Sequence, residues 1–169
     1  MKRLILVLSV CFIFLLFSGC TQKHDFPEKT EFMLEETAKT SDREVTVKSI
    51  ERSDKLRFCV SSGTETACDY LPSKDGEEFL SAIVEVKNTS PNDVFFSATR
   101  FGLTDSDGTD YPLIVVNMRE DRLPIIYNLL SNEKISGSIL FMVPKEVTEL
   151  KVNYDFNSST EKLASWKVQ

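Results

Sequence analysis

The sequence predicts an all-β domain, an antiparallel β-sandwich that follows a signal peptide and a flexible tether. Three observations lead to this prediction. From residue 43 onward, apolar and polar residues alternate with the two-residue period of a β-strand. Seven or more of these runs are short and bounded by turn residues, which is typical of a sandwich. The same region contains no long helical period and no repeat at a fixed spacing.

Residues 1–19 form a predicted lipoprotein signal peptide. Residues 1–3 are a positively charged start, and residues 4–17 are an apolar run interrupted only by Ser9. This run is shorter than the roughly 20 residues that span a bilayer. The sequence Phe-Ser-Gly-Cys at residues 17–20 resembles the lipobox of prokaryotic lipoproteins, although that family prefers Leu at position 17. The resemblance implies that Cys20 is lipidated and becomes the mature N-terminus. An ordinary signal peptide and an uncleaved membrane anchor are the alternatives.

The mature chain is expected to have two parts. Residues 20–42 are the lipidated N-terminus and a tether, because they are polar and charged and contain Pro27; a short helix over residues 28–39 is the alternative there. Residues 43–169 form the β-sandwich. Its predicted strands are residues 44–50, 56–60, 66–70, 77–88, 94–96, 100–104, 109–116, 135–143, 150–156 and 166–168.

The charge of the chain argues against nucleic acid as a partner. There are 20 basic and 26 acidic residues, a net charge of −6, and loss of Lys2 and Arg3 with the signal peptide makes it −8. An acidic surface repels phosphate backbones and offers no polybasic patch to anionic lipid. A membrane would therefore be contacted through the lipid on Cys20.

Two cysteines remain once Cys11 leaves with the signal peptide and Cys20 carries the lipid. Cys59 and Cys68 are predicted to form a disulfide, because an even pair in an oxidising compartment usually pairs and the two flanking strands can run antiparallel. Zinc needs four ligands and a catalytic thiol needs a base. The single histidine, His24, precedes the domain, so neither role is expected.

The sequence TDSDGTDY at residues 104–111 has two interpretations. Asp-Gly between alternating strands indicates a tight turn, because glycine accepts positive φ and aspartate can bond to its own backbone. The alternative is a cation site built from Asp105, Asp107 and Asp110. The EF-hand spacing is not matched, since the twelfth position from Asp105 is Val116. The turn is the favoured prediction.

Residues 113–130 are unusually apolar for a surface loop. One interpretation is a core strand that covers one end of the sandwich. The other is a partly exposed patch for a protein or lipid-like partner. The residues of this hypothetical partner patch are Arg119, Arg122, Leu123, Ile125, Ile126 and Tyr127.

No catalytic residue, cofactor or metal is expected. Serines and acids are plentiful, but the domain lacks the histidine that serves as base in a catalytic triad. The sequons at Asn88 and Asn157 lie near predicted turns, where glycosylation could reach them in a host with that machinery.

Three segments together resemble a known family. They are residues 76–89, a strand closed by Lys-Asn-Thr; residues 101–111; and residues 137–144 leading into residues 150–154. They are similar to a family of bacterial and archaeal secreted lipoproteins that contain a domain of unknown function. The resemblance covers roughly residues 43–156 and implies an immunoglobulin-like fold, similar to the mycobacterial immunoprotective extracellular protein. It implies no ligand or activity, and the Cys59–Cys68 region departs from the common family pattern.

These observations predict a lipid-anchored, extracytoplasmic β-sandwich protein. The expected function is a non-catalytic binding module at the cell envelope, with an unidentified envelope protein as partner. The alternative is a structural or stress-related lipoprotein that binds a small ligand or a cation through its loops.

Overall fold

The computed structural model describes residue 27 and residues 29–62, 65–115, 121–156 and 163–168. Within these residues the chain forms thirteen β-strands and one short 3-10 helix, Ala98–Arg100. The predicted antiparallel β-sandwich is confirmed. The strands are β1 (Glu31–Phe32), β2 (Thr37–Lys39), β3 (Arg43–Ser53), β4 (Lys55–Ser62), β5 (Glu65–Pro72), β6 (Glu77–Asn88), β7 (Val94–Ser97), β8 (Phe101–Asp105), β9 (Asp110–Tyr111), β10 (Ile126–Leu129), β11 (Lys134–Pro144), β12 (Leu150–Asp155) and β13 (Leu163–Val168).

Two larger sheets enclose the main core. One has the strand order β1-β13-β12-β8-β9 and the other β11-β6-β3-β2. Two pairs stand beside them, β10-β7 and the β4-β5 hairpin. One hydrophobic cluster contains residues of both larger sheets, with Trp166, Tyr154 and Phe96 as its largest fully buried side chains. The chain therefore folds as a sandwich around one principal core.

Strand β6 shows how the alternating pattern builds the core. Leu80, Ala82, Val84 and Val86 are fully buried on one face, as their spacing predicted. Each fully buried Val or Leu contributes roughly 1.5–3 kcal/mol through removal of apolar surface from water. The strand pairs with β3 on one side and with β11 on the other, so it is central to its sheet.

The predicted tether boundary at residue 42 is wrong, and so is the alternative helix over residues 28–39. Strand β1 pairs in parallel with β13, and β2 pairs with β3. Phe32 stacks on Trp166 with 5.3 Å between ring centroids, and Ala38 is fully buried. The sandwich therefore begins by residue 31. Strands of two and three residues are too short to show an alternating pattern, so β1 and β2 could not be predicted from the sequence.

The predicted strand over residues 109–116 is also too long. Only Asp110–Tyr111 forms a strand, and residues 112–115 follow an irregular path. The Ile114 N–H donates to the Leu140 carbonyl at 2.7 Å, which holds this segment against β11. The segment thus leaves the β8 sheet for the opposite one after two paired residues.

A buried arginine lies where the two sheets meet. Arg43 is buried, contacts the Asp42 carboxylate at 2.7 Å and donates to the Tyr154 hydroxyl at 3.2 Å. Burial acts to raise the pKa of Asp42, but hydrogen bonds from Arg43 and Thr40 outweigh it and lower that pKa. Burial also raises the pKa of Tyr154. The bond between Arg43 of β3 and Tyr154 of β12 joins the two sheets.

Candidate functional site

The TDSDGTDY segment is a tight turn that joins β8 to β9. Thr104 lies opposite Asp110 across the antiparallel pair. The Asp105 carboxylate accepts the N–H of Asp107 at 3.0 Å and that of Thr109 at 2.8 Å through Oδ1. Gly108 has φ of +84°, a conformation that favours glycine. The prediction of a turn is confirmed.

The hydrogen bonds of Asp105 bear on the alternative interpretation, a cation site built from Asp105, Asp107 and Asp110. Its second oxygen, Oδ2, accepts the Tyr111 hydroxyl at 2.9 Å. The hydrogen bond from the Thr109 N–H is the main reason why the pKa of the Asp105 carboxyl is lowered. Asp107 and Asp110 are both exposed. Across the part of the chain that the structure describes, no group of three or more His, Cys, Asp or Glu residues is arranged to hold a metal ion.

The β4-β5 hairpin carries the predicted disulfide. Cys59 lies directly opposite Cys68 in the antiparallel pair, with 4.1 Å between their Cα atoms, and the two sulfurs are bonded. The prediction of a cross-strand disulfide is confirmed. Strand β5 is exposed along Thr66–Pro72, so the hairpin projects from the sandwich. The bond fixes the register of an element that has little core of its own.

The residues of the hypothetical partner patch are distributed over very different environments. Leu123 is only 3% exposed and belongs to the main core, so its assignment to a docking surface is wrong. Tyr127 packs against the core and donates its hydroxyl to Glu133 at 2.8 Å. Ile125 and Arg122 are partly buried, whereas Ile126 is 66% exposed. Arg119 lies outside the described residues.

Leu123 is buried because its segment follows the edge of β11. The Ser138 N–H donates to the Asp121 carbonyl at 2.7 Å, and the Leu123 N–H donates to the Ser138 carbonyl at 2.9 Å. A Cβ atom on Gly137 would lie 2.6 Å from the Leu123 nitrogen, so only glycine permits this approach. A glycine inside an alternating strand often marks a close backbone contact. Gly137 was therefore the signal in the sequence that pointed to this arrangement.

An exposed apolar patch on the β7-β10 pair overlaps the predicted one at Ile126. We define the outer patch as Phe95, Ile126 and Leu130, which are 56%, 66% and 55% exposed. Phe95 lies opposite Asn128, two residues along the strand from Ile126, so these side chains share one face. Leu130 continues the alternation one residue beyond the strand. The pattern of residues 94–96 could not show which phenylalanine faces solvent.

The sequon at Asn88 is inaccessible. Asn88 is fully buried, and its Nδ2 atom donates to the carbonyls of Asn92, Leu129 and Leu130 at 2.8–3.0 Å. Glycosylation requires that same nitrogen to be free and exposed. The expectation of an accessible turn at this position is wrong, because the amide ties the loop after β6 to the loop after β10.

Two further sequence predictions fall outside the described residues, namely lipidation of Cys20 and the sequon at Asn157. Within the described residues, no helix has the length and apolar character needed to cross a bilayer.

The strand order and pairing define an antiparallel β-sandwich, and three solved structures resemble it. They are the yjhA protein of Bacillus subtilis (19% identity, TM-score 0.60, 81% of this chain and 99% of that one), ycdA of Bacillus subtilis, provisionally described as a lipoprotein (17%, 0.57, 80% and 38%), and the secreted protein MPT63 of Mycobacterium tuberculosis (18%, 0.56, 82% and 96%).

The family follows from the sequence itself. Residues 32–163 match the family described as Domain of unknown function (DUF4352), and this span covers most of the chain. The chain therefore belongs to that family, as the resemblance predicted. No curated protein matches the chain. The match begins at Phe32, which agrees with a sandwich that includes β1 and β2.

Proposed function

We propose that the protein is a lipid-anchored, extracytoplasmic binding module that acts without catalysis. The lipobox-like sequence that ends at Cys20 supports the anchor. The secreted MPT63 and the provisional lipoprotein ycdA, which share the fold, support the compartment. The one histidine of the chain, His24, precedes the described strands, which argues against a histidine-dependent hydrolase.

The observation that carries the proposal is the outer patch. Three large apolar side chains, each more than half exposed, lie on one face of the β7-β10 pair and of the residue that follows it, Leu130. Contiguous exposed apolar surface marks interaction sites, because leaving it in water is unfavourable. One polar side chain lies among them: Asn128, between Ile126 and Leu130 on the same face, donates to the Asp93 carboxylate at 3.3 Å.

The partner in this proposal is another protein of the cell envelope. The lipid on Cys20 would hold the domain near the membrane, and the polar residues that follow would let it turn towards its partner. Arg122, which the sequence analysis assigned to the predicted patch, pairs with Ser138 in an isolated parallel bridge at the edge of β11.

In-cell cross-linking of the tagged full-length protein, followed by membrane purification and mass spectrometry, tests the proposal. We expect Ile126→Asp to reduce recovery of the partner about tenfold or more, because a charge would replace a central apolar contact. Leu71→Asp is the matched control, since Leu71 is 49% exposed but lies on the β4-β5 hairpin. Cys20→Ala serves as the mislocalised control.

Equal recovery of the same proteins by the wild type, Ile126→Asp and Leu71→Asp would overturn the proposal that the outer patch binds a partner. Correct membrane localisation of Cys20→Ala would overturn the lipid anchor. Loss of the lipid-anchor hypothesis would not decide whether the outer patch binds a partner, because localisation and partner recovery are measured separately.

A further inference from the structure

A cleft lies between the β4-β5 hairpin and the outer face of the sheet formed by β11, β6 and β3. Its volume is about 280 Å³, close to the lower end of the roughly 300–1,000 Å³ typical of small-molecule sites. Residues of β3, β4, β5, β6 and β11 all line it. The residues of the outer patch do not line the cleft, and neither the family nor its predicted function assigns a role to it.

The base of the cleft is apolar. Leu56, Phe79 and Leu140 are each buried and form a second hydrophobic cluster, separate from the main core. Phe79 and Leu140 belong to the outer face of the sheet, and Leu56 is the hairpin residue that packs on them. This small cluster can bind the apolar part of a ligand that enters beside it.

The rim of the cleft carries positive charge. Lys55 and Arg57 line it, and within the described residues neither forms an ion pair; the Arg57 guanidinium makes only a 3.5 Å contact with the Cys68 sulfur. Most other lysines and arginines with described side chains pair with a carboxylate. Glu51 is the one acid in the lining, so the cations outnumber it. An excess of unpaired positive charge is unusual in a chain of net charge −6.

An aromatic side chain completes the rim. Tyr70 lies directly opposite Arg57 in the hairpin and is 59% exposed, although its ring lines the cleft. Exposed aromatic rings stack on flat apolar groups, and the phenol also offers a hydrogen bond. The disulfide lies two residue pairs farther along the same hairpin and fixes this register.

We propose that this cleft binds a small organic anion that has a carboxylate and one apolar ring. The carboxylate contacts Lys55 and Arg57, since a guanidinium and an ammonium both donate charge-assisted hydrogen bonds to it. The ring enters between Tyr70 and the base formed by Leu56, Phe79 and Leu140. The volume of the cleft suits a ligand with a single ring.

Fluorine NMR of 4-fluorophenylacetate with the full-length protein in lipid nanodiscs tests this proposal. We expect saturable line broadening with wild type and at least fivefold weaker binding of neutral 4-fluorophenylacetamide, which keeps the ring and loses the charge. The double variant Lys55→Gln/Arg57→Gln should bind the acid about tenfold more weakly than wild type.

The matched control is Lys48→Gln/Lys74→Gln, which removes the same charge from two exposed lysines outside the cleft. This variant should bind the acid as the wild type does. Equal affinity for acid and amide, equal weakening by both double variants, or no saturable broadening with wild type would overturn the proposal. Empty nanodiscs supply the baseline, so partition into lipid is not counted as binding.

Discussion

Asp105 shows how one side chain can organise a turn. Its two oxygens accept hydrogen bonds from two backbone N–H groups and from the Tyr111 hydroxyl. An aspartate that bonds to the backbone two residues later is a common turn device, and this is the part of the motif that the sequence made predictable. The Tyr111 contact was not predictable, because it depends on the pairing of β8 with β9.

These bonds make the stability of the turn depend on pH. The native carboxyl has a lowered pKa, so below the ordinary aspartate pKa of about 3.9 the unfolded chain takes up the proton more readily. The stabilisation is thus complete above that value and is lost as the pH falls through the lower native pKa. Between pH 5 and about pH 3, the urea unfolding midpoint should therefore fall less for Asp105→Asn than for the wild type.

The control is Asp107→Asn, because the Asp107 carboxylate accepts no hydrogen bond from the described residues. That variant should keep the wild-type acid dependence. If Asp105→Asn and Asp107→Asn change the acid dependence of the urea midpoint equally, the hydrogen bonds to Asp105 are not the source of that dependence.

At the scale of the strand, predictability depended on length and on pairing. Strands β6 and β11 are long and alternate, so their buried faces could be read from spacing alone. Strand β10 has four residues, and its exposure depends on pairing with β7. Residues 121–123 lie along β11 because Gly137 permits a backbone approach, and alternation carries no information about that. The core could therefore be predicted, but the outer patch could be located only approximately.

The hairpin supplies a prediction about local stability. Its disulfide closes a short loop, with a sequence separation of 9, and such a constraint stabilises by about 2–3 kcal/mol. Cys59→Ser/Cys68→Ser should therefore speed amide exchange in β4 and β5 by roughly a hundredfold. Hydrogen exchange with mass spectrometry would measure this effect.

Strands β6 and β11 provide the internal reference for that experiment, since they belong to the sandwich and the hairpin packs on them through the small cluster around Leu56. Their exchange should change little. A uniform acceleration over the whole chain would instead mean that the hairpin and the sandwich unfold together.

For the molecule as a whole, the main correction concerns its N-terminal boundary. Residues 29–42 are rich in charge, and composition alone favours a tether there. The structure gives them two edge strands, a Phe32–Trp166 stack and an ion pair between Glu31 and Lys151 at 2.8 Å. A few well-placed apolar contacts therefore outweigh a polar composition.

Two N-terminal deletions distinguish a sandwich that begins by residue 31 from one that begins after residue 42. Deletion of residues 21–28 should leave the melting temperature unchanged, because both N-terminal strands remain. Deletion of residues 21–42 removes Phe32, whose loss alone costs about 3–5 kcal/mol, out of a total of about 5–15 kcal/mol for a typical domain. We expect that variant to be largely unfolded by circular dichroism. Identical melting curves for the two deletions would restore the boundary at residue 42.

The pairing of β1 with β13 also sets the order of events during synthesis. Trp166 donates its indole N–H to the carbonyl of Glu36, 130 residues earlier in the chain, at 2.9 Å. In a growing polypeptide Phe32 cannot stack on Trp166 until residue 166 has been synthesised. Native topologies rich in such distant pairings form slowly. The edge of the sandwich at β1 is consequently completed late, only after β13 has left the ribosome.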